Sequence, residues 1–190
     1  MGTRSLILSI VCLLGAIAAR ADLQLTPKVS EYELDGVKFE QLAFSDGSGN
    51  EITYQQPEGW NYSGNATQLT LHPPKTAQAE ATITKVTLPQ PGNFDEEMKL
   101  KLIQEAMASV PSGSTNVTLV SQEKNPLLIG RKETLLVTIS YTFYGENFKR
   151  SMMFLNRNHE QVRFQFVSRA ADFKDLQKAF LASQFTWHNL

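Results

Sequence analysis

The pattern that most restricts the fold lies in residues 132–168. Leu135, Val137, Ile139, Tyr141 and Phe143 alternate, with Thr138, Ser140 and Thr142 between them. A period of two belongs to a strand whose side chains point in turn to its two faces. Phe148 to Asn156 continues in the same manner and turns back through Gln161 to Ser168. Reading Arg157-Asn158-His159 as a three-residue loop sets Phe154 opposite Val162 and Met152 opposite Phe164, so that apolar residues meet. Met153 and Leu155 then point to the other side. A sheet that is apolar on both faces needs cover on both faces, which excludes a sheet with one side in water.

Helices to supply that cover are visible. Asn93 is the expected cap of a helix with Asp95, Glu96 and Glu97 at its positive end. Met98, Leu102, Ala106 and Val110 form its apolar stripe, and Pro111 and Gly113 end it. A closing helix from about Asp172 to Ser183 carries Phe173, Leu176 and Phe180 at helical spacing, and Phe185 and Trp187 behind it are expected to pack back on the body. Ahead of the first helix, Glu51 to Gln55, Gln68 to His72 and Ala81 to Leu88 read as strands, broken at Pro57-Glu58-Gly59-Trp60 and Pro73-Pro74. Asn116 to Gln122 reads as another strand. Tyr32 to Phe39 reads as a small hairpin, because Asp35-Gly36 tolerates the positive φ of a tight turn. Pro27 marks residues 22–30 as a leader without regular structure.

Both the length and the composition fit one folded domain. The chain has 190 residues, of which 42% are hydrophobic and 19% charged, so neither a disordered nor a fibrous chain is expected. Its N-terminus has the layout of a secretory signal peptide: Arg4, an apolar stretch from Leu6 to Ala19, and Ala19-Arg20-Ala21 as small residues for cleavage after Ala21. That stretch is shorter than the roughly 20 apolar residues of a spanning helix. The expected organisation is a signal peptide over 1–21 and a single domain over 22–190, with residues 22–50 as an N-terminal extension. The expected location is periplasmic or secreted, with no membrane span after cleavage. Val11 before Cys12 does not suit lipidation. Loss of Cys12 with the signal leaves no thiol, hence no disulfide partner, cysteine nucleophile or thiolate metal site. Removing Arg4 and Arg20 moves the net charge from −1 to about −3, which argues against nucleic acid, whose binders carry a basic excess.

No catalytic constellation is legible. Histidine is limited to His72, His159 and His188, and no Gly-x-Ser-x-Gly elbow occurs. His159-Glu160 opens like a zinc-protease motif, but Arg163 stands where the second histidine belongs. Asp46-Gly47-Ser48-Gly49-Asn50 imitates half a calcium loop, yet Glu51 and Pro57 occupy the positions of its glycine and bidentate carboxylate, so a plain turn is expected. Neither a metal nor a cofactor is expected. Three glycosylation sequons, at Asn61, Asn65 and Asn116, read as coincidence. The candidate binding residues are Trp60 and Tyr62, an aromatic patch beside a Pro-Gly turn, and Arg157. Arg157 lies among Arg150, Arg163 and Arg169 near the last hairpin, where an acidic partner is one reading and a solvated face the other.

Three segments carry a family resemblance. Ile52-Thr53-Tyr54-Gln55-Gln56-Pro57-Glu58-Gly59-Trp60, Leu128-Ile129-Gly130-Arg131 before a long hairpin, and Val162-Arg163-Phe164-Gln165-Phe166 before an Asp-Phe helix and a Phe-Thr-Trp close are similar to the PsbP/Mog-type fold. That family includes photosystem extrinsic subunits and DcrB-type envelope proteins, and the match spans about residues 52–187. The resemblance implies an α+β fold, a central antiparallel β-sheet with helices packed on its faces in an α/β/α sandwich. It also implies a mostly non-catalytic protein. The resulting expectation is an exported protein-binding or assembly module whose partner is an envelope or secreted protein. A hydrolase-like enzyme with a dispersed site and a small-ligand carrier remain the alternatives.

Overall fold

The structure, a computed structural model, describes residues 22–157 and 159–190, so the expected signal peptide lies outside the described residues. The central element is a seven-stranded antiparallel sheet in the order β4-β5-β6-β10-β9-β8-β7. Its strands are β4 (Asn61–Gly64), β5 (Gln68–His72), β6 (Glu80–Thr87), β7 (Thr115–Lys124), β8 (Thr134–Phe143), β9 (Glu146–Arg157) and β10 (Glu160–Arg169). A smaller sheet holds β1 (Gln24–Leu34), β2 (Val37–Ser45) and β3 (Glu51–Tyr54). Helix α1 (Glu96–Ala108) packs on one face of the large sheet. Helix α2 (Phe173–Ser183), followed by a 3₁₀ turn at Gln184–Thr186, shares the other face with the small sheet. The α+β fold expected from the sequence is the fold observed.

Each face has its own core. Leu135, Val137 and Ile139 of β8 and Met152 and Phe154 of β9 meet Phe94, Leu102 and Ala106 at α1. On the opposite face, Leu136, Met153, Leu155, Val162, Phe164 and Phe166 meet Leu42, Ile52 and Tyr54 of the small sheet and Phe173 and Phe180 of α2. Trp187 joins these parts. It stacks on Tyr54 at 4.4 Å and Phe44 at 5.5 Å, and its Nε1 donates to Gln184 Oε1 at 2.9 Å. Tyr54 and Ser183 hydroxyls bond at 2.8 Å in the same buried seam, and burial pushes the Tyr54 phenol well above its usual range.

The register of the last hairpin differs from the expected one by a residue. Arg157 pairs with Glu160, which sets Val162 opposite Leu155 and Phe164 opposite Met153, while Phe154 faces Arg163. The cause is the reach of α1, which covers β8 and β9 but only brings Glu105 to Arg163 at its margin. Apolar residues of β10 therefore turn to the face covered by α2 and the small sheet, and a one-residue slip moves a whole strand from one face to the other.

Three further expectations are corrected. Residues 24–34 form β1 despite Pro27, because the strand lies at a sheet edge and its register shifts between Gln24 and Lys28, where a missing N–H costs no ladder bond. The same N-terminal region supplies Leu23, Leu25, Leu42 and Phe44 to the core. The cap of α1 is Asp95 rather than Asn93, its carboxylate accepting from the Met98 N–H at 2.8 Å. Finally, Trp187 packs inside as expected, but Phe185 is 67% exposed.

Candidate docking face on the small sheet

The β1–β2 hairpin extends past the body. Its turn is Asp35-Gly36, at φ +52° and +79°, the left-handed pair that a two-residue hairpin loop requires. From that turn the register runs Leu34–Val37, Glu33–Lys38, Tyr32–Phe39, Glu31–Glu40, Ser30–Gln41 and Val29–Leu42. Alternation sorts these pairs onto two faces. The inner face carries Leu42 into the core, then continues beyond it as Val29, which is 57% exposed, and the charged pairs Glu31–Glu40 and Glu33–Lys38. On the outer face lie Leu34 and Val37, 59% and 53% exposed, and the stacked rings of Tyr32 and Phe39, 5.2 Å apart.

This outer face continues across the small sheet. Gln41, Thr53 and Gln55 follow the aromatic pair, and the exposed Phe185 with Thr186 and His188 closes an open groove of about 480 Å³. His188 is held by backbone bonds in both directions with Thr53, at 3.0 and 3.3 Å. A neighbouring groove of about 640 Å³ shares Gln55 and Thr186 and runs from Phe39 to Ala179 and Ala182 of α2. The surface combines aromatic rings, amides, hydroxyls and one imidazole, with Glu40 and Glu58 in the neighbouring groove, so it can pack apolar side chains and hydrogen-bond a peptide. Among the described residues no group of three or more His, Asp or Glu is positioned to hold a metal ion.

The residues singled out from sequence do not converge. Trp60 is buried, with its ring against Phe166 at 6.0 Å and Phe180 at 6.3 Å, and acts as a core side chain. Tyr62 is 36% exposed on the edge strand β4. Arg157 sits at the end of β9, bound to Glu160 at 3.2 Å. The other arginines are likewise engaged within the fold. Arg150 donates to the Ser109 carbonyl and, at 2.8 Å, to its hydroxyl; Arg163 makes a two-pronged contact with Glu105; Arg169 reaches Glu146 at 2.7 Å. An acidic partner would have to displace these bonds. The Asp46 loop is a closed turn, its carboxylate accepting from the Ser48 and Asn50 amides at 2.8 and 3.1 Å and from both side chains. Those donors hold the Asp46 carboxyl well below the usual carboxylate range.

Sequence reasoning located the hairpin but missed its outer face. Tyr32, Leu34, Val37 and Phe39 read as an apolar alternation, and such alternation ordinarily marks a buried face.

One pair of titratable groups also escaped the sequence reading. Asp22 and Glu160 lie against each other, with Lys85 Nζ 2.5 Å from Asp22 Oδ1. Burial, then the adjacent Asp22 carboxylate, pushes the Glu160 carboxyl up to about 7, while its hydrogen bond with Glu160 pulls Asp22 down. Neither residue lines the grooves of the outer face.

No family model matches the chain, and no curated protein matches it. Solved structures do. A protein of unknown function from Pseudomonas aeruginosa aligns with 83% of this chain and 94% of its own at 12% identity and a TM-score of 0.44. A solved structure from Bacteroides thetaiotaomicron aligns with 72% of this chain at 11% identity and a TM-score of 0.46, and this chain covers only 44% of it. Cyanobacterial PsbP (CyanoP) from Synechocystis sp. PCC 6803 aligns with 92% of this chain and 95% of its own at 8% identity and a TM-score of 0.51. The resemblance noted in the sequence thus holds at the level of architecture: the chain has a PsbP-like α+β fold.

Proposed function

We propose that the protein is an exported, non-catalytic module that binds a protein partner through the outer face of the β1–β2 arm. One observation carries this reading. Leu34, Val37, Tyr32 and Phe39 form an apolar strip on a hairpin that leaves the body, and Phe185 extends it. Exposed apolar surface is unfavourable in water, and a contiguous, polar-rimmed patch marks an interaction site. Export rests on Arg4, the apolar stretch and the Ala19-Arg20-Ala21 site.

The test compares the wild type with Leu34→Asp/Val37→Asp, each crosslinked in envelope extract, with captured proteins identified by mass spectrometry. A stoichiometric partner held by the wild type and lost by the variant is the expected result. Equal capture by both proteins refutes the assignment of the face. A second reading, an enzyme with a dispersed site, has one observation in its favour, the Asp22–Glu160 carboxyl pair. Substrate turnover abolished by Glu160→Gln would establish it.

A further inference from the structure

The two sheets have four edges, and they are not equally open. β4 is four residues long. β7 has two register shifts, between Thr115 and Thr118 and between Leu119 and Ser121, which break the regular row of backbone groups an added strand needs. β3 is closed by the His188 bridge and by Thr186, whose hydroxyl accepts from the Gln55 N–H at 2.8 Å. β1 is different. Its first residues are covered where the Leu25 N–H donates to Ala66, but Lys28 to Leu34 continues in unbroken register with β2 and carries no second neighbour among the described residues.

Hairpin geometry decides which groups face outward. With a two-residue turn, Leu34–Val37 is a hydrogen-bonded pair, and so by alternation are Tyr32–Phe39 and Ser30–Gln41. The N–H and C=O groups of Val29, Glu31 and Glu33 therefore point away from β2, toward the open edge. An added strand would meet Tyr32 and Leu34 on one face and Glu31 and Glu33 on the other. Around them the hairpin carries four carboxylates, Glu31, Glu33, Asp35 and Glu40, against Lys28 and Lys38. Lys38 Nζ lies 3.4 Å from Glu31 in a solvent-exposed pair that a partner's basic residue would share or replace, while Glu33 has no such ion pair among the described residues.

We infer that the open edge of β1 takes an extended segment of a partner protein as an added strand, one that alternates apolar residues with lysine or arginine. This rests on the protein-binding reading above and names the partner's chemistry. The apolar residues extend the Tyr32–Leu34 strip, and the basic ones lie opposite Glu31 and Glu33, since oppositely charged cross-strand neighbours attract and like ones repel. The same glutamates work against a second copy of this chain, because two β1 edges paired together would bring carboxylates face to face.

The experiment uses an eight-residue peptide alternating valine with lysine, its counterpart with glutamate for lysine, and a version with a central proline. Amide exchange followed by NMR reads Val29, Glu31 and Glu33. The lysine peptide is expected to protect these three amides, about tenfold more tightly than the glutamate peptide, and the proline version to leave them exposed. Glu31→Lys/Glu33→Lys, confined to exposed positions, is expected to reverse the preference between the charged peptides. Protection of the three amides before any peptide is added, whether by a second copy or by other residues of this chain, overturns the inference. So does binding that shifts Tyr32 and Phe39 but leaves the edge amides exposed; that outcome retains the docking face and rejects the added strand. Indifference to Leu34→Asp/Val37→Asp in partner capture instead rejects the docking face itself.

Discussion

Replacing Glu160 with glutamine tests the carboxyl pair and its coupling to stability. The groups facing Glu160 are Asp22 before β1, Lys85 on β6 and Arg157 on β9. Burial and the Asp22 charge raise Glu160 from 4.5 to about 7, whereas in an unfolded chain it ionises near 4.5. Between these values the native state binds more protons than the unfolded one, so this group's stabilisation is complete below about 4.5 and is lost as pH rises through 7. Asp22 has the opposite sign: its lowered value gives stability present above 3.8 and lost as pH falls. The Glu160 rise corresponds to at most about 3 kcal/mol. Solvent screening at this partly exposed hairpin end brings the expected effect to about 1–2 kcal/mol. Glutamine keeps the shape and offers an N–H to Asp22 where the protonated acid offered an O–H. Urea unfolding followed by the fluorescence of buried Trp60 and Trp187 should give equal stabilities for the two proteins near pH 4.5. At pH 8 the variant should be more stable by about 1–2 kcal/mol. Parallel pH profiles, or a variant that is weaker at pH 8, would show that Arg157 and Lys85 hold an ionised Glu160, and would refute the shared-proton picture.

Three other outcomes follow from the packing. Trp187→Ala should cost about 3–5 kcal/mol in urea unfolding, because it removes the ring between Tyr54, Phe44 and Phe164 and strands Gln184. A Cβ at Gly64 would stand 2.9 Å from Pro27 Cδ and 3.2 Å from the Leu25 carbonyl. Gly64→Ala should therefore lose about 1–3 kcal/mol, with faster amide exchange at the start of β1 as its local sign. Asp95→Ala removes the side-chain cap at the N-terminus of α1 and should cost about 1 kcal/mol, read as a lowered urea midpoint with unchanged slope.

What the sequence alone determined is the architecture near the diagonal of the chain. Strand alternation over 134–143, the helical stripe at Leu102 and Ala106, and the Asp35-Gly36 turn are local signals, since side-chain period and turn chemistry are properties of a few consecutive residues. Two apolar faces on one sheet likewise required cover on both sides. The choice of what covers each face was tertiary. α1 reaches β8 and β9 but not the far strands, and that span set the β9–β10 register and assigned Phe154 and Phe164 to different cores. The candidate site is tertiary for the same reason. Tyr32 and Leu34 alternate along β1 as Leu69 and Leu71 do along β5, yet Leu69 and Leu71 are fully buried while Leu34 is 59% exposed. Period tells which side of a strand a residue faces; only the position of the other layers tells whether anything is there to meet it.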